Sequence, residues 1–183
     1  MKKRVVTKDI ILNGAQEFVI KNGIDNLNAR SLAKELNCST QPIYLSFKNM
    51  DDLKAQLLAK CKEFVSAYII SKLKNYDTLF MGYVSSYINF AREYPKIYEF
   101  IYLKMECNNS EVDLAYNEVI INGIAKAGNY SYETAEKFFL QSFIYAHGLA
   151  TQIVTGFAKW DLDVINEFLE DEFVALKLKY KGE

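Results

Sequence analysis

Apolar residues recur at helical spacing through most of this chain of 183 residues, and no segment shows strict two-residue alternation. The first run has apolar positions at i, i+4, i+7 and i+8, which predicts a helix that Thr7 caps and Asn22-Gly23 ends. A longer run, the fourth, begins after Asn49 and extends to about Leu73. The pattern as a whole predicts an all-α fold of about nine helices, with no strands.

Prolines, glycines and capping residues place the later helices. Only two prolines and eight glycines occur, so long helices are permitted almost throughout. Pro95 interrupts the fifth predicted helix and opens a short sixth, because proline is best tolerated in the first turn of a helix. The fifth helix is predicted to begin after Asp77 or Thr78, and the last three span about 111–127, 132–159 and 162–177.

The most specific pattern is a pair of short predicted helices, the second and third, joined by a tight turn. An apolar stripe from Leu32 to Leu36 defines the first of the pair. Asn37 follows where that helix must stop, and asparagine tolerates the left-handed conformation of a helix C-terminus. Ser39 or Thr40 can then cap the next helix, which has a proline in its first turn. This order predicts helix-turn-helix geometry.

The segment resembles the DNA-binding domain of the TetR/AcrR family of one-component transcriptional regulators. The resemblance rests on Tyr44 three residues before Phe47, a turn that contains a lysine, and an acidic helix start at Asp51. It covers about the first sixty residues, beyond which only the all-helical architecture and the length agree. It implies a DNA-binding domain at 1–49, with the motif at 28–47, and a ligand-binding and dimerisation domain at 50–183.

The resemblance further implies a homodimeric regulator, expected to be a repressor, that binds a palindromic operator in double-stranded DNA and is released by a small-molecule inducer. Glutamine suits paired hydrogen bonding with adenine, so Gln41 is a candidate for base contact. The predicted base-edge contacts are Thr40, Gln41 and Leu45; the predicted phosphate contacts are Asn28, Arg30, Ser39, Tyr44 and Lys48, with a basic arm of Lys2, Lys3 and Arg4.

One position departs from the family pattern. The family usually has a lysine where this chain has Met50, at the start of the fourth helix, and uses it on a DNA phosphate. Lys48 is nearby in sequence and can substitute for it. We therefore expect a phosphate contact to be weakened or relocated at this point.

The charge is unevenly distributed. Residues 1–62 contain 11 Lys+Arg and 6 Asp+Glu, a net of +5, whereas the remainder has 11 against 17, a net of −6. A basic head on an acidic body indicates that only the head meets nucleic acid. The competing interpretation is an α-helical scaffold or ligand-binding protein with no DNA role. In the regulator a basic surface should coincide with the exposed face of the third helix, and in the scaffold it should be absent.

The two C-terminal predicted helices have more apolar surface than one neighbour can cover. The eighth is apolar over most of its circumference, with Gly148 and Gly156 eight residues apart, and the ninth continues the apolar face. Pairing of both helices with their copies in a four-helix bundle would cover these faces, and is the dimer that the family resemblance implies. The alternative is that both faces are buried within one chain.

Tyrosine and phenylalanine are concentrated between residues 76 and 147. The family encloses its inducer cavity among the fifth to eighth helices, and phenol-bearing rings suit a mostly apolar, partly polar molecule. The alternative is that these rings are ordinary core and that the lone histidine is a satisfied core or interface residue. The predicted ligand-binding residues are Tyr83, Tyr87, Tyr102, Met105, Phe143 and His147.

Motifs of enzymes and of metal or cofactor sites are absent from the sequence, which has no Gly-rich phosphate loop, HExxH or nucleophile elbow. Cys38, Cys61 and Cys107 are far apart and odd in number, which predicts reduced thiols. Neither a signal-peptide core nor an apolar run of about 18 residues occurs. We therefore expect a soluble, cytoplasmic protein that is not an enzyme, uses no cofactor and does not bind a membrane.

Overall fold

The computed structural model describes residues 6–104 and 111–181, and of residues 111–116 only the backbone. All regular structure in these ranges is helical, which confirms the predicted all-α fold. No helix among these residues combines the length and the apolar character needed to cross a membrane. The α-helices are α1 (Lys8–Asn22), α2 (Ala29–Glu35), α3 (Gln41–Ser46), α4 (Met50–Lys72), α5 (Leu79–Glu93), α6 (Pro95–Tyr98), α7 (Glu111–Gly128), α8 (Tyr132–Thr155) and α9 (Leu162–Lys179).

Contacts divide the described chain into two compact units. The first contains the described residues of 1–64 and 94–107, and the second those of 65–93 and 108–183. Helix α6 therefore groups with the N-terminal helices, together with the π-helical turn Glu99–Leu103 that follows it. The domain boundary predicted at residues 49 and 50 does not coincide with these units, and as the limit of a DNA-binding domain it stays a prediction.

The core of the first unit forms where the sequence places apolar stripes. Ile11, Ala15 and Val19 are fully buried on one face of α1. The remaining helices of the unit close over that face because each has its own buried apolar positions. These include Leu32 on α2, Ile43 on α3, Leu53, Leu57 and Cys61 on α4, and Ile97, Tyr98, Phe100 and Ile101 from the α6 segment.

Two lysines attach the α6 segment, which comprises α6 and the turn Glu99–Leu103, to the end of α1 and to the turn that follows it. The ammonium group of Lys96 donates a hydrogen bond to the carbonyl of Lys21, at the C-terminal end of α1 where carbonyls lack helical partners. Lys104 forms an ion pair with Asp25, and lies 3.6 Å from a carboxylate oxygen of Glu99. Residues far apart in sequence thus complete one packed unit.

The second unit is built around α5. Ten of its 15 residues are buried, and it packs against α7, α8 and α9. The buried positions include two serines, Ser85 and Ser86, so burial of this helix extends beyond its apolar residues. Gly82 permits one close approach, because a Cβ there would lie only 3.2 Å from the carbonyl oxygen of Leu73.

Three helices have hydroxyl N-caps, as predicted for Thr7 and, as one of two alternatives, for Thr78. The hydroxyls of Thr7, Thr78 and Ser131 each accept a hydrogen bond from the backbone N–H three residues later, at 3.4, 3.1 and 3.1 Å. The predicted hydroxyl cap of α3 is wrong. Thr40 occupies the capping position but is itself in the helical conformation, at φ −71° and ψ −15°, and its side chain makes no capping bond, nor does Ser39 supply one.

Helix α8 ends earlier than predicted. It stops at Thr155, whereas the apolar pattern had suggested about residue 159. Gly156 adopts the left-handed conformation at φ 72° and caps the helix, a conformation that glycine adopts without steric cost. Gly156 is therefore a helix terminator, and only Gly148 lies on a helical face.

Cys38 and Cys61 are free thiols, as predicted, and Cys107 lies outside the described residues. Burial raises the pKa of the Cys61 thiol to about 12. A thiol with so high a pKa is not ionised at neutral pH and is chemically inert.

Candidate functional site

The turn between α2 and α3 is closed by backbone hydrogen bonds. Asn37 adopts the predicted left-handed conformation, at φ 51°. Its N–H donates to the carbonyl of Lys34 at 3.1 Å, and the N–H of Cys38 donates to that of Ala33 at 2.9 Å. These bonds satisfy carbonyls at the end of α2 and fix the direction in which α3 departs.

Helix α3 is anchored on one side and open on the other. Ile43 and Phe47 are 1% and 2% exposed and fasten the helix to the unit. Leu45 is 79% exposed and Tyr44 is 56% exposed, and Gln41 is exposed at the first position of the helix. An exposed leucine and tyrosine on so short a helix leave apolar and hydrogen-bonding groups available to a partner.

Asn28 has a structural task at the start of α2. Its Oδ1 accepts hydrogen bonds from the N–H groups of Arg30 and Ser31, both at 3.0 Å. The Ser31 hydroxyl in turn accepts the N–H of Asn28 at 3.0 Å, which completes a reciprocal capping box. Of the other predicted phosphate contacts, Arg30 and Ser39 are exposed.

The start of α4 is fixed by a second set of polar bonds. The N–H of Asp52 donates to Oδ1 of Asn49 at 2.8 Å, while the Asp52 carboxylate accepts the N–H of Lys48 at 2.9 Å. The bond from Lys48, followed by one from the Gln56 amide, holds the pKa of Asp52 below its ordinary value. Met50 is half-buried at the first position of α4, where the sequence departs from the family pattern.

The cations of the motif flank α3 and do not lie on it. Helix α3 has no charged side chain. Arg30 and Lys34 are exposed on α2, and Lys48 is exposed after α3. Lys21 is paired with Glu35 at 3.0 Å. The predicted basic surface does not lie on α3 itself, whose exposed side chains are neutral. Exposed positive charge lies on the segments that precede and follow the helix.

Four of the six predicted ligand residues lie in one aromatic column in the second unit. The rings of Tyr83 and Tyr87 on α5 pack against those of Phe139 and Phe143 on α8, and His147 continues the α8 row. Ring centroids are 5.4 Å apart for Tyr83 and Phe139, 5.5 Å for Tyr87 and Phe143, and 5.7 Å for Phe143 and His147. The column arises because each helix repeats an aromatic residue every four positions.

Tyr87 and His147 are joined by a hydrogen bond, with the phenol oxygen 2.8 Å from Nδ1 of the imidazole. Burial lowers the pKa of His147 from its ordinary value. The imidazole is therefore neutral at physiological pH, and one ring nitrogen is able to accept a proton. This pair, with the phenol of Tyr83, supplies the polar groups of the column.

The two remaining predicted ligand residues are not part of this column. Tyr102 belongs to the first unit, where its ring centroid lies 4.9 Å from that of Tyr98. Met105 lies outside the described residues, as do the predicted basic arm residues Lys2, Lys3 and Arg4. The ligand-binding role of all six residues stays a prediction.

A cavity of about 390 Å³ lies elsewhere in the second unit. Sequence reasoning did not single out its residues, because they come from four helices and the loops beside them. The only local signal is a cluster of small residues near the end of α7. The lining residues are Asp77, Thr78, Leu79, Phe80, Gly123, Ile124, Ala127, Gly128, Tyr130, Phe138, Phe173 and Lys177.

Helices α8 and α9 expose apolar side chains within the single chain. Ile144 is 69% exposed on α8, and Leu178 is 67% exposed on α9. A Cβ at Gly148 would meet no atom within 4 Å, so the helix surface there is open. These are features that a partner helix would cover, and the predicted dimer stays a prediction.

Comparison with known proteins shows that this chain is similar to solved structures in its fold. No family model matches the sequence, and no curated protein matches it. A solved structure of a protein of unknown function from Rhodococcus sp. RHA1 is similar, with a TM-score of 0.74, 18% identity and 94% of each chain covered. A substituted TetR from Acinetobacter baumannii AYE, solved in complex with minocycline, is similar with a TM-score of 0.68, 16% identity, and coverage of 97% of this chain and 100% of that one. The chain therefore has the all-α fold of TetR.

Proposed function

We propose that this protein is a DNA-binding transcriptional regulator that responds to a small molecule and acts as a homodimer, with no catalytic activity. The observation that carries the proposal is the exposed face of α3, where Gln41, Tyr44 and Leu45 project from a helix anchored by Ile43 and Phe47. The TetR-like fold supports the same conclusion. Repression is the proposed mode of action.

DNA-binding proteins obtain sequence specificity from contacts to base edges, and contacts to phosphates fix their position. The neutral exposed side chains of α3 suit base contacts, and the exposed cations beside the helix suit phosphate contacts. Gln41 and Thr40, at the start of α3, are proposed to meet base edges, with Leu45 against a thymine methyl group. Arg30 and Lys48 are proposed to meet phosphates. In this arrangement Asn28 caps α2 through its Oδ1, while its Nδ2, which donates only a long bond of 3.4 Å to the carbonyl of Asn26, is the group proposed to meet a phosphate.

The proposed dimer joins α8 and α9 with their copies. Exposed Ile144 and Leu178, with the open surface at Gly148, support an isologous helix bundle. Two copies of α3 would then enter successive major grooves about 34–36 Å apart on a palindromic operator. A chain that does not dimerise would make only half of the proposed contacts with the operator.

The proposed response to an inducer depends on two elements, α4 and the α6 segment. Helix α4 begins beside α3 and continues into the second unit, and the α6 segment is attached to α1 through Lys96 and Lys104. A ligand that favours one arrangement of these elements would change operator affinity by no more than its differential affinity for the two arrangements. Operator DNA would then weaken ligand binding by the same factor.

Selection on random DNA duplexes with the purified full chain tests the proposal. We expect enrichment of a palindrome, and Gln41→Ala should lose roughly 1–3 kcal/mol of discrimination at one base step of each half-site. Lys48→Ala should weaken binding on all sequences alike, whereas Lys126→Ala, an exposed lysine on α7, should have no effect. If no palindrome is enriched, the chain is an α-helical ligand-binding or scaffold protein.

A further inference from the structure

We infer that the cavity of about 390 Å³ in the second unit binds an organic acid with a flat apolar body. Its volume falls within the range of roughly 300–1,000 Å³ that is usual for small-molecule sites. It shares no residue with the aromatic column of Tyr83, Tyr87, Phe139, Phe143 and His147. The inference rests on the proposed function only for the role of this acid as an effector.

Three phenylalanine rings line the cavity, together with the ring of Tyr130, and favour a flat ligand. Phe80 and Phe173 are stacked at 4.9 Å with an angle of 18° between their planes, and Phe138 meets Phe80 edge-on at 5.3 Å. Rings packed against one another in this way form an apolar wall suited to an aromatic body. Phe80 and Phe138 are 5% and 1% exposed, so the lining is preorganised and little ordering is required on binding.

Small residues on α7 keep the cavity open. Gly123, Ala127 and Gly128 line it, and none of them has a side chain larger than a methyl group. A Cβ at Gly123 would lie 3.0 Å from Leu79, and one at Gly128 would lie 2.0 Å from the ring of Tyr130. Glycine at these positions allows the neighbouring side chains to approach α7 without steric conflict.

The acidic group of the ligand is inferred from two lysines at the edge of the cavity, Lys177 and Lys181. An open groove of about 440 Å³ is lined by Gly128, Tyr130 and Lys177, which also line the cavity, and by Lys181. Within the described part of the chain Lys177 has no acidic partner, and its ammonium group lies 5.3 Å from the centre of the Phe173 ring. Asp77 lines the cavity but not this groove, so a carboxylate is best placed between the two lysines.

Calorimetric titration without DNA tests the site, with naphthalene-2-carboxylate as the acid and naphthalene-2-carboxamide as its neutral counterpart. We expect the acid to bind roughly three- to tenfold more tightly than the amide, because two solvent-exposed charge pairs contribute free energy on that scale. Added salt should reduce this preference. The double variant Lys177→Gln with Lys181→Gln should abolish it while retaining binding of the amide.

Ala127→Phe adds a ring at an exposed position of α7 that lines the cavity, and should abolish binding of both compounds. Asn122→Phe, at an exposed position of α7 outside the cavity, is the matched control and should bind both normally. Circular dichroism establishes that each variant is folded. Undiminished binding by the Ala127 variant, an equal loss in the Asn122 variant, or no binding to the original chain at millimolar acid would overturn the site.

The effector role is measured separately, as operator affinity with and without the acid. If the acid binds the cavity but leaves operator affinity unchanged, the effector role is wrong and the site stands. If DNA selection fails while Ala127→Phe still abolishes acid binding, the regulator proposal is wrong and the site again stands. The two proposals therefore fail by different measurements.

Discussion

The reciprocal cap at Asn28 allows folding and DNA binding to be separated experimentally. Asn28→Ala removes the acceptor for the N–H groups of Arg30 and Ser31, which it binds at 3.0 Å each. Loss of such a cap costs about 0.5–2 kcal/mol of stability. Because one oxygen serves two donors and α2 has only seven residues, we expect the upper half of this range, about 1–2 kcal/mol.

Urea unfolding followed by far-ultraviolet circular dichroism measures this loss. The midpoint should fall while the slope of free energy against urea stays the same, since a cap changes stability and not the surface exposed on unfolding. Asn28→Asp is the matched control because its carboxylate keeps the acceptor, and it should remain within about 0.5 kcal/mol of the original chain. If Asn28→Ala also remains within about 0.5 kcal/mol, the capping argument is refuted.

The aspartate variant also tests the predicted phosphate contact. A carboxylate near DNA phosphates is repelled, so Asn28→Asp should weaken operator binding on all sequences alike if Asn28 lies at the interface. Fluorescence anisotropy with a labelled operator measures the affinity. Unchanged affinity in a stably folded variant would assign Asn28 to capping alone.

Three further predictions concern other positions. Met50→Lys should tighten binding to all DNA sequences and steepen the dependence on salt concentration by about one unit, measured by anisotropy over a salt series; a change in sequence preference at constant salt dependence would assign this side chain another role. His147 has a lowered pKa because of burial, so stability should be complete above the ordinary pKa of about 6.5 and decline as the pH falls toward the lower pKa of the folded state. His147→Asn should remove this decline, measured by urea unfolding between about pH 5 and 8, where His147 is the only histidine to titrate; an unchanged decline would contradict the assignment. Gly156→Ala should cost about 1–2 kcal/mol of stability, because φ is 72° and alanine is strained there even though the surrounding space is open. An unchanged free energy of unfolding in this variant, measured by thermal unfolding, would contradict the backbone explanation.

Features that depend on a few neighbouring residues could be predicted from the sequence. The left-handed Asn37, and the caps at Thr7, Thr78 and Ser131, each follow from the hydrogen bonding of one short segment. The four-residue repeat of aromatic residues similarly brought Tyr87 and Phe143 into one column once α5 packed on α8. Local chemistry and helical spacing were sufficient for these.

Features that depend on distant residues could not be predicted. Apolar residues continue past Gly156, so periodicity alone extended α8 beyond its end. The cavity depends on how α5, α7, α8 and α9 fit together, and no single helix shows a signal for it. The attachment of Lys96 and Lys104 to the end of α1 joins residues more than seventy positions apart, a separation that no local pattern reports.

That attachment has a consequence for synthesis of the chain. The core of the first unit includes Ile97 and Phe100, so α1, α2 and α3 cannot bury all of their apolar surface until residue 100 and its neighbours have left the ribosome. Translation at about 5–20 residues per second delays closure of that core by several seconds after α3 emerges. A fragment that ends after the helix-turn-helix would keep this surface exposed permanently, and we expect it to aggregate where the full chain folds.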